Sequence, residues 1–131
     1  MTKQQMVDKV YEVFITNKTK ASIKGDLCQY GDPDKSAGCA VACLVSHKTR
    51  SSLHELESSG EYPCNGLTVD NYKVKALLPK KLLLNLPLLS SLQFWHDQAD
   101  AKHKRLNTRE RIDAFKHLCE DYGLKFPGDR R

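Results

Sequence analysis

Five cysteines and a histidine–aspartate set are the residues of this chain best equipped for chemistry. Cys28, Cys39, Cys43 and Cys64 could supply the four thiolates of a tetrahedral zinc site. Their spacings leave 10, 3 and 20 intervening residues, and no pair has the two-residue knuckle that usually nucleates such a site. Reduced cysteine also packs as a small hydrophobe, and core packing is the role expected here. A nucleophilic cysteine would need an adjacent base and a depressed pKa. His47 and His54 are near in sequence but form no motif with the thiols.

The second set is His96, Asp97, Asp100 and His103. On one helix, His96, Asp100 and His103 fall at i, i+4 and i+7, a single face. Imidazole and carboxylate together can bind zinc or iron, or carry out acid–base steps. Phosphohydrolases built on a His-Asp pair need further His and Asp at distant positions, and no second set is present. The expectation is a polar helix border, with no metal and no cofactor. His96, Asp100 and His103 are the runner-up ligand set for a metal-dependent enzyme.

The third set is cationic: Lys102, Lys104, Arg105, Arg109, Arg111 and Lys116. These straddle the junction of two expected helices, where phosphates or an acidic partner could be held. Trp95, or Tyr72 beside Lys73 and Lys75, could stack a base. Asp97, Asp100, Glu110 and Asp113 interleave with the cations and dilute their field. There is no glycine-rich phosphate loop, nucleophile elbow or zincin motif, so catalysis is not expected. The six cations are taken as the partner-binding residues.

The elements that must position these groups are mostly helical. A chain of 131 residues predicts one domain spanning 1–131, large enough to bury a core. Residues 1–66 hold eight Lys/Arg and eight Asp/Glu; residues 67–131 hold thirteen and eight, so the whole excess of +5 lies in the second half. No stretch is long and apolar enough to cross a membrane, and MTKQQMVDKV has no secretory h-region. A cytoplasmic protein with reduced thiols is expected.

Thr2 to Asn17 reads as a helix, opened by a Thr2/Gln5 capping box, with Val7, Val10, Tyr11 and Phe14 as its apolar stripe. Asn17 should end it, since asparagine tolerates a left-handed conformation. Leu27 to Tyr30 alternates like a short strand, followed by a turn at Gly31 to Asp34. Gly38 to Val45 is either a hairpin partner for that strand or a short helix, and its alanines and small cysteines favour the helix. Ser46 to Gly60 reads as a weak amphipathic helix carrying Leu53 and Leu56. Leu67, Val69, Tyr72 and Val74 mark another short strand. Pro79 opens a helix over 79–85, which Pro87 breaks or restarts.

Leu88 to Lys104 is the expected central helix, with Leu88, Leu92, Trp95 and Ala99 buried and Leu89, His96 and His103 along its border. Asn107/Glu110 open a last helix, Thr108 to Tyr122, with Ile112, Phe115, Cys119 and Tyr122 inward. Gly123 and Leu124 end it in a Schellman turn. The fold class expected is α+β, mostly helical, with amphipathic N- and C-terminal helices packed around a short strand pair.

Two segments together are similar to a known group. Cys28-Gln29-Tyr30, then Gly38-Cys39-Ala40-Val41-Ala42-Cys43-Leu44-Val45, resemble the C-x-Y … C-A-V-G-C-L-I core of small uncharacterised bacteriophage and prophage proteins. Leu88-Leu89-Ser90-Ser91-Leu92-Gln93-Phe94-Trp95-His96-Asp97 resembles the L-L-x-x-L-Q-x-x-H-D segment of the same proteins. Ala42 stands where the pattern has glycine, and Ser46-His47-Lys48 replaces an acidic, proline-containing stretch. The resemblance implies no catalytic residue. It implies a phage-type accessory protein in a bacterial cytoplasm that binds and inhibits or redirects a host protein, with a defence component among the candidates. Nucleic-acid binding by the basic half is the alternative.

Overall fold

The computed structural model describes residues 1–19, 23–24, 27–28, 30–34, 39–59, 69–97 and 108–130. Helix α1 (Lys3–Tyr11) continues into a wider turn at Glu12–Thr16. Two-residue strands β1 (Ile23–Lys24) and β2 (Leu27–Cys28) follow, then a 3₁₀ turn at Ala42–Leu44. Helices α2 (His47–Ser58), α3 (Tyr72–Leu77), α4 (Lys80–Leu83), α5 (Leu86–Trp95) and α6 (Thr108–Asp121) complete the order, with a last 3₁₀ turn at Pro127–Arg130.

The helix ends obey their local chemistry. Thr2 Oγ1 accepts from the Gln5 N–H at 3.1 Å, and Gln5 Oε1 accepts from the Thr2 N–H at 2.8 Å. That reciprocal pair satisfies two orphan donors of α1. Ser46 caps α2 through the Thr49 N–H, and Asn71 caps α3 through the Lys73 N–H. Pro87 lies in the first turn of α5, where its missing N–H has no partner to lose. Gly123 (φ +65°) ends α6; its N–H donates to Glu120 and that of Leu124 to Cys119. That is the expected Schellman ending.

The end of α1 differs from expectation by one residue. The Asn17 N–H reaches back five residues to the Glu12 carbonyl at 2.8 Å, so the last turn is widened. Asn17 keeps a right-handed φ of −86°, and Lys18 takes the left-handed position at φ +54°.

The expectation of helices packed around a strand pair is overturned. Among the described residues the only ladder pairs β1 with β2, two residues each, antiparallel, in the register Ile23 to Cys28 and Lys24 to Leu27. It does not pair 27–30 with 39–43. That second segment is helical, with Cys43 N–H donating to the Cys39 carbonyl at 3.1 Å and Leu44 N–H to Val41. The strand expected around Val69–Val74 is also helical from Tyr72. Asn71 captures the first turn of α3, and Val74 and Leu78, four residues apart, are both buried. Short apolar runs do not distinguish the two periods, and capping decides here.

The core is therefore made by helices. Met6, Val7, Val10 and Phe14 of the first helical segment meet Leu88, Leu89, Leu92 and Trp95 of α5, and Phe115, Leu118 and Cys119 of α6. Ala40 to Ala42, Leu53, Val69, Val74, Leu78 and Leu82 close the cluster. Four rings run through it edge to face: Trp95 on Phe115 (4.9 Å), Phe115 on Tyr11 (5.7 Å) and Tyr11 on Phe126 (5.4 Å). Gln4 ties the two ends of the chain together. Its amide donates to the Lys125 carbonyl at 2.9 Å and accepts from the Lys125 N–H at 3.0 Å.

Two glycine swaps test these backbone assignments. Lys18→Gly should raise stability by about 1 kcal/mol, because it removes the cost of a side chain at positive φ. Gly123→Ala should lower it by about the same amount. A Cβ at Gly123 meets nothing within 4 Å, so the loss there is conformational rather than steric. Urea unfolding midpoints of the two variants check both signs.

Candidate functional site

The most developed polar arrangement is inside the protein, and sequence reasoning did not find it. Glu57, on the inner side of α2, is 6 % exposed. Its two carboxylate oxygens accept from the backbone N–H groups of Tyr30 and Gly31, each at 2.8 Å. His54 Nδ1 is 3.1 Å from Oε1 of the same carboxylate. A buried charge needs such partners, and two aligned amides supply them. Gly31 adopts φ +87°, which only glycine accepts readily, and this lets both N–H groups face one carboxylate.

From Tyr30 the network continues across the core. The Tyr30 hydroxyl accepts from Gln93 Nε2 at 3.1 Å, and Gln93 Oε1 accepts from the Val69 N–H at 3.0 Å. Burial, then the neighbouring Cys39, raise the Tyr30 phenol far above its ordinary range; the Gln93 hydrogen bond works against them. The residues that join here, Tyr30 and Gln93, come from the two motifs quoted above. Those motifs meet in space and hold the loop at 30–34 against α5.

The thiols are part of the same interior. Cys39 is buried, its Sγ accepting from the Ala42 N–H at 3.3 Å. Cys43 is half-buried and donates to the Ala40 carbonyl at 3.2 Å. Cys39, Cys43 and Cys119 are free thiols. Burial raises all three above the ordinary thiol range; Cys43 and Cys119 are each pushed up to about 12. Lys9 and Arg50 pull Cys43 back partway, while Asp8 and Glu120 add to the rise at Cys119. Such thiols stay protonated at neutral pH, unlike the activated thiolate of a nucleophile. Cys64 and the Cys28 side chain lie outside the described residues.

His96 is placed differently from its expected helix border. It is fully buried, its ring 4.6 Å from that of Phe14 and crossed at 65°. Its Nδ1 is 3.3 Å from Asp97 Oδ1. An aromatic contact with Phe14 turns the imidazole inward, where the sequence pattern had placed it at the edge. Asp100 and His103 lie outside the described residues. Among the described residues, no three His, Cys, Asp or Glu side chains gather as a metal site would require.

Of the six cations, Lys102, Lys104 and Arg105 lie outside the described residues. Arg109 and Lys116 are exposed on α6, with Lys116 Nζ 6.0 Å from the Phe126 ring centroid. Arg111 is half-buried and donates to the Phe14 carbonyl at 3.3 Å, a structural task. Trp95, a candidate base-stacking residue, is 5 % exposed and donates from Nε1 to the Arg111 carbonyl at 3.1 Å. Its ring packs edge to face with that of Phe115. Tyr72, the other candidate, is exposed. No helix among the described residues is long and apolar enough to cross a membrane. No protein-family model, curated protein or solved structure matches this chain.

Two outcomes follow from the interior. Glu57→Ala should cost about 3 kcal/mol or more, since two backbone amides lose a charged acceptor. Glu57→Gln should cost less than Glu57→Ala, because one oxygen still accepts; chemical denaturation of both variants checks the order. The thiols predict an alkaline loss. Below about pH 8.5 folded and unfolded chains both keep the thiol protons, so this contribution is fully present. As pH rises toward 12, the unfolded chain ionises first and stability falls, by up to about 1.4 kcal/mol per pH unit for each buried thiol. Urea unfolding between pH 8 and 11 measures the slope, which should be shallower in Cys119→Ala.

Proposed function

We propose that this chain is a non-catalytic binding protein of phage type, acting in the bacterial cytoplasm by engaging a host protein. The observation that carries this reading is the placement of charge. The whole excess of +5 lies in residues 67–131, and Arg109 and Lys116 of that half stand exposed on α6. Glu57, His96 and the three described thiols are turned inward to structural partners. The two motif segments, similar to those of phage and prophage proteins, supply the context, and an acidic host surface is the complementary partner.

Affinity capture from a bacterial lysate tests it. The tagged protein should retain a discrete host protein after nuclease treatment. Arg105→Glu with Arg109→Glu should abolish retention while the melting temperature stays within a few degrees. A capture that yields only nucleic acid, and that nuclease abolishes, would overturn the reading.

A further inference from the structure

A second surface stands on different elements from Arg109 and Lys116. The segment from Tyr72 to Leu84 is anchored from one side by Val74, Leu78 and Leu82, all buried. Between these anchors the segment exposes apolar and cationic side chains in alternation with the buried ones. Leu84 is 80 % exposed and Leu77 36 %, with Lys80 and Lys81 exposed between them and Lys75 half-exposed. Within Tyr72–Leu84 the charge is of one sign, with exposed Asp70 just before it. From Asn71 to His96 the chain holds four lysines and no carboxylate. A single exposed leucine is ordinary on any surface. Two on one short, well-anchored segment, with lysines between them and no acid along it, make a surface of defined complement.

We propose that the α3–α4 segment is a docking surface for an acidic protein segment, one whose apolar side chains cover Leu77 and Leu84 while its carboxylates meet Lys75, Lys80 and Lys81. Charge complementarity selects the sign of the partner. The apolar anchors select its class. Tyr72, exposed at the start of α3, offers a ring on which a base could stack, but nucleic acid would leave Leu77 and Leu84 uncovered. An interfacial membrane helix needs a long continuous apolar face. Here α3 has six residues and α4 four, separated by extended backbone at Leu78 and Pro79. The proposal extends the reading of the chain as a binding protein to a second element, and Arg109 plays no part in it.

The test is fluorescence anisotropy with the full chain and a labelled synthetic peptide composed of glutamates and leucines. A polyglutamate peptide of equal length, labelled duplex DNA and phosphatidylglycerol vesicles are run beside it. The glutamate–leucine peptide should bind, and polyglutamate should bind at least tenfold more weakly. Lys80→Glu with Lys81→Glu, and separately Leu84→Ser, should each raise Kd tenfold or more without moving the melting temperature. Arg109→Glu should leave Kd unchanged, which separates this surface from the α6 face. Absence of peptide binding, equal binding of polyglutamate, variants that bind like the parent, or binding of DNA or vesicles alone would each overturn the proposal.

Discussion

A carboxylate removed from water must be solvated by the protein, and much of this structure answers that demand at Glu57. Its two oxygens take the N–H groups of Tyr30 and Gly31, so α2 holds a loop more than twenty residues earlier in the chain. The backbone must curl with both donors on one side, and Gly31 provides the curl. Tyr30 is then placed with its hydroxyl against Gln93, and Gln93 reaches the Val69 N–H. One buried charge thus sets the position of a loop, the inner side of α5 and the approach to α3. Partial satisfaction of such a network would be worse than an apolar core of the same shape.

The other organising feature is the widened turn at Glu12–Thr16. One extra residue in the turn shifts the ladder and leaves the Phe14 carbonyl accessible to the Arg111 guanidinium. The Phe14 ring lies on His96. A basic residue of α6 and a histidine following α5 are both drawn to the same residue of the first helical segment. Two side chains that resemble parts of a binding or metal site in sequence are instead fastenings between helices.

How much of this was legible follows from the range over which each signal acts. Helix α1 and helix α6 were readable because their stripes, caps and C-terminal glycine are local: Thr2 with Gln5, Gly123 with Leu124. The same holds for the buried Leu88, Leu92 and Trp95. The segment from Gly38 to Val45 was ambiguous because so short an apolar run does not separate the helical period from the strand period. Val69 to Val74 was misread as a strand because a β-branched pair and a tyrosine outweighed the cap at Asn71. Glu57 gave no signal, since its partners are backbone amides that carry no side-chain signature. His96 was misplaced because its position is set by Phe14, more than eighty residues away. The cationic cluster was visible as composition, but composition does not show that Arg111 is committed to a carbonyl.

The pairing of Gln4 with Lys125 has a bearing on how the chain comes to be folded during synthesis. Helix α1 leaves the ribosome before α5 and α6, yet its apolar stripe is covered by them and by the ring of Phe126. At about 5–20 residues per second, several seconds separate the emergence of Val7 from that of Phe115. Met6, Val7, Val10 and Phe14 spend that interval without their native cover. A helix of this length is marginal alone in water. The stripe of α1 is therefore open to chaperones and to mispairing until α6 has been released to cover it.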